Sequence, residues 1–323
     1  MSNNKGNVSV LNSTQWLDPH DIGMLLSADD LVLGVDKVKL VFPIVRPNPS
    51  FAGWTSSSRR FSPGRGVTQT QECDAPTDLH AGFRVGFSEH ALRGMNGWVE
   101  FNPSRMSHPD GRLSDVEGAV SCIQRVLSYA KEYLIFNAHP DRLNLHRLDL
   151  TVDFSPVIDM QRVLYLARRA SPYLRAKPNV FFSKQTGEAE SVTFSTKTAG
   201  SLVVYDKSAK EGWETPTLRV EVQASRKELV RHGLSLLSSL SLPPMVSLFR
   251  HRTKSLVDLC LYSPETRTTQ ILTCKQNTNH LIAIAGREYL ESCGVVIPRT
   301  DHYVKVDRKF KKTYPYVSVK DLL

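Results

Sequence analysis

The sequence predicts an α+β fold: an antiparallel β-sheet flanked by helices, with a smaller, mainly helical C-terminal region. Three observations carry this expectation. Runs of alternating or Val- and Leu-rich residues recur as far as Ala224, the later ones are joined by short turns, and two capping boxes open amphipathic helices among them. Short turns favour antiparallel pairing, because a parallel pair needs a crossover of about a dozen residues or more.

Taken in order, residues 1–30 read as a polar arm with a short amphipathic stretch from Ile22 to Leu31. LVLGVDKVKLVFPIV, Leu31 to Val45, reads as one long strand. From Arg46 to Cys73 the chain is dense in Pro, Gly, Ser and Thr, which predicts a long loop or a splayed hairpin tip. HAGFRVGF and GWVEF are strands, the second stopped at Asn102-Pro103. Ser114 and Glu117 form a capping box ahead of a helix through Val120, Ile123, Leu127 and Leu134. HRLDLTVDF alternates strictly, a helix spans Met160 to Arg169, and VFF, ESVTFS, SLVVYDK and LRVEVQA are four more strands. Ser225 and Glu228 form the second capping box, opening a helix with Leu229, Leu234 and Leu237. Pro243-Pro244 is the clearest punctuation, so the domains are expected at 1–30, 31–242 and 243–323, the last ending in a basic tail.

With 323 residues, 41% of them hydrophobic and 23% charged, most of the chain can fold around a core, and disorder is excluded as its main character. The net charge of +9 suits a polyanionic partner, of which nucleic acid is the commonest. The five cysteines lack zinc spacing and read as reduced thiols. The N-terminus lacks the order of a signal peptide, and no apolar run approaches the ~20 residues of a membrane span. A cytoplasmic protein is therefore expected, with no membrane partner.

Chemistry is concentrated in carboxylates on strands and one strand tyrosine. In RLDLTVDF, Leu148, Leu150, Val152 and Phe154 share one face, and Asp149, Thr151 and Asp153 share the other. Glu100 in WVEF and Glu221 in LRVEV each stand between apolar neighbours. Each acid alone fits the solvated face of a half-buried strand; together they can hold a hard divalent ion, Mg²⁺ or Mn²⁺, which prefers oxygen ligands and suits phosphodiester chemistry. Tyr205 ends the apolar run of SLVVYDKSAKE, with Lys207 at the same strand parity. A phenol with an unperturbed pKa of about 10 needs a nearby cation to act as a nucleophile, and the same tyrosine also fits a packed strand end.

VDKVKLVFPI, VEFNPSRM, RLDLTVDF and VVYDKSAKE followed by LRVEVQASRKELVRHGL occur in this order across residues 31 to 240. In these motifs the chain resembles the filamentous-phage gene II/X replication proteins and, more distantly, plasmid initiators of the Rep_trans type. The resemblance implies a rolling-circle replication initiator that nicks one strand of origin DNA, stays on the 5′ end through a tyrosine and frees a 3′ hydroxyl to prime synthesis. Tyr205 would be the nucleophile, Lys207 its neighbouring cation, and Asp149, Glu221 and Glu100 the acids of an Mg²⁺ or Mn²⁺ site, with Asp153 ranked below them. The His-hydrophobe-His metal motif of many other initiators is absent, and His146 and His139 read as surface or turn residues.

The partner implied is supercoiled origin DNA with an exposed single strand, together with a host helicase and polymerase; a homodimer is compatible, and Tyr165 and Tyr173 are weak candidates for a second nucleophile. DNA-contacting cations are expected in the loop (Arg46, Arg59, Arg60, Arg65), on the helix after Ser225 (Arg226, Lys227, Arg231) and in the tail (Arg308, Lys309, Lys311, Lys312). Two rivals stand beside this reading. One is a DNA-binding replication control protein without catalysis; the other is a tyrosine recombinase, whose HxxR element is met here by His139 to Arg142 with a proline inside.

Overall fold

The computed structural model describes residues 32–43, 45–62, 66–90, 94–155, 160–169, 178–196 and 200–253. Their architecture is α+β: a ten-stranded antiparallel sheet with helices packed on it. The strands are β1 (Gly34–Phe42), β2 (Val45–Pro47), β3 (Thr55–Ser62), β4 (Gly66–Ala75), β5 (Phe83–His90), β6 (Gly94–Phe101), β7 (Leu134–Phe136), β8 (Asn144–Phe154), β9 (Pro178–Phe182), β10 (Ala189–Thr196), β11 (Gly200–Asp206) and β12 (Leu218–Ser225). The helices are α1 (Pro103–Ser107), α2 (Val116–Ala130), α3 (Met160–Arg169), α4 (Lys207–Glu211), α5 (Arg226–Arg231) and α6 (Leu242–Thr253). The large sheet runs β3-β4-β5-β6-β1-β8-β12-β11-β10-β9, which puts β1, β8 and β12 at its centre.

Period-two alternation builds this sheet. Leu148, Leu150, Val152 and Phe154 of β8, Leu218, Val220, Val222 and Ala224 of β12, and Val38 and Leu40 of β1 are all fully or nearly fully buried. Helices bring matching stripes to these strands: α2 buries Ala119, Cys122, Ile123, Val126 and Ala130 and touches β1, while α3 buries Val163, Leu164 and Ala167 against β10 and β11. The α5 helix packs on β8 and β12. With one face apolar, the polar residues of every central strand fall on the other face and meet each other there.

Several expectations are corrected. The strand expected from Leu31 to Val45 is two strands: the chain bends at Pro43, which has no N–H to give the ladder, and β2 pairs with β7 in a separate two-stranded sheet. The stretch expected as a loop from Arg46 to Cys73 is largely the β3–β4 hairpin at one edge of the large sheet. Its Ser and Thr side chains suit an edge that faces water on both sides. Phe51 and Trp54 pack edge-on against Tyr133 and Phe87, so they are committed to a cluster rather than to stacking on bases.

The first helix cap lies one residue later than expected: Asp115 accepts from the Gly118 N–H at 2.7 Å, while the Ser114 N–H is taken by Ser104 Oγ; the helix also ends at Ala130, short of Leu134, which lies in β7. Pro243-Pro244 opens α6 and marks no break in the described chain. Met245, Leu248 and Phe249 of that helix are buried and it contacts β12, so the sheet unit continues through Thr253. The expectations for residues 1–30, for Arg65 and Tyr173, and for the basic tail lie outside the described residues. Among the described residues no helix is long and apolar enough to cross a membrane.

Candidate active site

The polar face of the central strands carries a cleft of about 520 Å³ lined by Asp36, Lys37, Asn102, Arg147, Asp149, Tyr205, Lys210, Glu221 and Gln223, among others. Register explains the gathering. Tyr205 of β11 lies opposite Arg219 of β12, which lies opposite Asp153 of β8; one same-face step along β12 Glu221 faces Thr151, and one further Gln223 faces Asp149, which faces Lys37 of β1. Facing residues of antiparallel strands put their Cβ atoms about 5 Å apart on the same side. Three sequence-predicted residues, Tyr205, Asp149 and Glu221, thus line one cleft.

Asp149 is buried and held by Arg147, whose Nε and Nη2 donate to its two oxygens at 2.6–3.1 Å. Burial outweighs this partner and, with the charges of Glu221 and Asp36, pushes the Asp149 carboxyl up to about 7. Glu221 is raised for the same reasons, by burial and then by Asp36, although Gln223 Nε2 donates to it at 2.7 Å. Two buried carboxyls with a third acid at their side form a site that repels its own protons less than its own charges. Such a set favours either protons or a cation.

The Tyr205 side chain is nearly buried, and its hydroxyl stands 3.5 Å from Glu221 Oε2. Burial first, and Glu221 next, raise the phenol well above its ordinary value, while Arg219 works against them. The Lys210 ammonium lies 5.1 Å from the centre of the Tyr205 ring.

Lys207 is not the cation beside Tyr205 that strand parity suggested. The Asp206 carboxylate accepts from the Ala209 N–H at 2.9 Å, ends β11 and starts α4, and Gly212 closes that helix in the left-handed conformation at φ 72°. Lys207 is therefore helical and buried, its ammonium 2.6 Å from Glu211. Arg219 takes the place opposite Tyr205. Its guanidinium, fully buried, grips both oxygens of Asp153 at 2.6 Å and reaches Asp36 at 3.4 Å.

Asp153 is accordingly committed to Arg219. Glu100 is on the same face but does not line the cleft: burial raises it, yet Lys37 at 2.8 Å and Lys39 at 3.2 Å outweigh burial and hold it below the ordinary carboxylate range. Of the acids that line the cleft, Asp206 caps α4 and Glu190 is exposed; those on the central strands are Asp149, Glu221 and Asp36, the last of which sequence reasoning missed. A bulge between Val35 and Lys37 lets two successive residues, Asp36 and Lys37, both line it.

The other histidines and arginines are placed as follows. His146 is a half-buried strand residue rather than a surface or turn one; burial, Arg226 and Lys39 push it down to about 4. His139 precedes a single 3₁₀ turn, Pro140–Arg142. Arg46 and Arg59 are exposed on β2 and β3, and Arg60 lies on β3. Arg226 donates to Asn144, Lys227 is exposed, and Arg231 pairs with Glu228 at 3.2 Å.

A second group forms where α5 meets α6. Glu228, His232 and His251 each offer one ligand atom, and these atoms lie within 4.8 Å of one another, so they can hold a metal ion. Glu228 was expected only as a capping residue.

Comparison with family models, and with curated proteins, finds no match to this chain.

Proposed function

We propose that the protein is a replication initiator that nicks one strand of origin DNA through Tyr205. The observation that carries this reading is the convergence of Tyr205, Asp149, Glu221 and Asp36 on one open cleft rimmed by Lys37, Arg147 and Lys210. A phosphate entering it meets cations at the rim and a phenol with a carboxylate 3.5 Å away. Attack of the Tyr205 oxygen on the scissile phosphorus forms the phosphotyrosyl bond and breaks the bond to the 3′ oxygen. The phenol proton passes to Glu221, and the leaving 3′ oxygen gains a proton from solvent. The products are a 5′-phosphotyrosyl strand and a free 3′ hydroxyl.

The acid set fits Mg²⁺ or Mn²⁺: all three donors are hard oxygens, and the upward shifts of Asp149 and Glu221, due first to burial and then to neighbouring acids, mark carboxylates whose charge is costly without a further cation. Asp149, Glu221 and Asp36 would hold the ion, provided Arg147 gives up one Asp149 oxygen. When bound, the ion supplies positive charge that lowers the cost of phenolate and of charge on the phosphate. Lys207, by its pairing with Glu211, acts in this reading only to fix α4 and so to seat Lys210.

A second reading, a DNA-binding protein without catalysis, is favoured by the raised pKa of the nearly buried Tyr205 and by Arg147 holding both oxygens of Asp149. Incubation with supercoiled plasmid carrying the cognate origin and Mg²⁺ or Mn²⁺ separates the two. Nicked circles with attached protein are expected; binding without nicking on that plasmid would favour the second reading.

A further inference from the structure

The Glu228, His232 and His251 group lies on elements separate from the acidic cleft, and two observations there point to a ligand. The His232 Nε2 atom is buried with no hydrogen-bond partner, and it faces Glu228 Oε1 at 3.6 Å. The Glu228 carboxylate is itself almost wholly buried, and Arg231 Nη1 donates to its Oε2 at 3.2 Å and to its Oε1 at 3.4 Å. A buried ring nitrogen without a partner costs free energy unless something satisfies it, and the nearest candidate atom is the Glu228 carboxylate oxygen.

We propose that Glu228, His232 and His251 bind one Zn²⁺ ion that clips α5 to α6. Glu228 and His232 are four residues apart, one helical turn, so both side chains leave the same side of α5 and its C-terminal cap. His251 enters from the last turn of α6, its ring centre 5.1 Å from that of His232. Four-coordinate zinc with bonds of about 2.0–2.1 Å needs ligand atoms about 3.3 Å apart. The Glu228–His232 distance of 3.6 Å is close to this, and small side-chain torsions, chiefly of the exposed His251, supply the contraction.

Two imidazoles and a carboxylate select zinc-like transition ions over the Mg²⁺ or Mn²⁺ of an all-oxygen site. The exposed position of His251 leaves the fourth place to water. Zinc would take Oε1 and the orphaned nitrogen, replacing the 3.4 Å contact of Arg231 with Oε1 while its 3.2 Å contact with Oε2 stays. Because β12 runs directly into α5, the clip also steadies the strand that carries Arg219 and Glu221.

Titration of chelator-stripped protein with Co²⁺ tests this, since low-coordinate cobalt absorbs visibly and octahedral cobalt only weakly. One equivalent is expected to give intense visible bands that Zn²⁺ abolishes, and equimolar Zn²⁺ in excess over its Kd by about a hundredfold is expected to raise the thermal midpoint by at least about 5 °C. Both His251→Ala and His251→Gln should weaken at least tenfold the Co²⁺ binding that the intense bands report. Absence of the intense bands in the wild-type protein, or bands that survive both His251 variants, overturns the proposal.

Discussion

Tyr205 Oη stands 3.5 Å from Glu221 Oε2, across the β11–β12 pair and beside a buried Arg219. This places a phenol against a carboxylate that opposes its ionisation and a guanidinium that assists it. Removing the carboxylate charge should release the phenol. In Glu221→Gln the Tyr205 titration, isolated by ultraviolet difference against Tyr205→Phe, is expected to move down toward the ordinary tyrosine range. An unmoved titration would mean that burial alone sets it.

Ion binding to Asp149 and Glu221 must displace the protons that their raised pKa values retain. Mn²⁺ affinity is therefore expected to climb with pH, by up to about tenfold per unit for each proton displaced, and to level off above about 7. Asp149→Asn should weaken binding and flatten that rise. Calorimetric titration at several pH values reads both effects.

Stability carries the opposite imprint. The folded Asp149 value of about 7 lies above the ordinary 3.8, so the folded state keeps a proton that the unfolded chain releases between those values. The contribution is full below about pH 4 and is lost as pH rises through 7. Asp149→Asn should thus gain on the wild type as pH rises, reaching about 1–3 kcal/mol at pH 8 without metal. Urea unfolding at pH 5 and pH 8 measures it; a difference independent of pH would contradict the assignment.

Arg219 ties Asp153 and Asp36 to β12 from a fully buried position. Arg219→Met leaves both acids without their cation and is expected to cost about 3–5 kcal/mol in urea unfolding. Adding Asp153→Asn should recover part of that loss, whereas additive costs would show the pair to be uncoupled.

Much of the sheet and part of the cleft were legible in the sequence, because both follow from period-two alternation. Asp149, Glu221 and Tyr205 were visible as polar residues on strands whose other face is apolar. Arg219 carries the same signal, two residues before Glu221 and in phase with it. Asp36 was hidden by a bulge, which breaks the parity that such reasoning depends on. The misplacement of Lys207 had a local remedy: Asp206 and Gly212 bracket five residues with a helix cap at each end.

Glu100 and Asp153 looked equal to Asp149 because a sequence does not reveal which cation lies on the next strand. Cross-strand register supplies Lys39 to one and Arg219 to the other. The Glu228, His232 and His251 group was illegible for a similar reason, since the third member arrives on a helix 19 residues beyond the second.

The central claim is that Tyr205 becomes covalently joined to DNA. Digesting the protein–DNA adduct formed on a nicked origin and sequencing the phosphotyrosyl peptide by mass spectrometry tests it most directly. The account predicts a 5′-phosphate linked to the peptide that contains LVVYDK, and no adduct from Tyr205→Phe. A linkage at any other tyrosine, or an adduct that survives Tyr205→Phe, would contradict it.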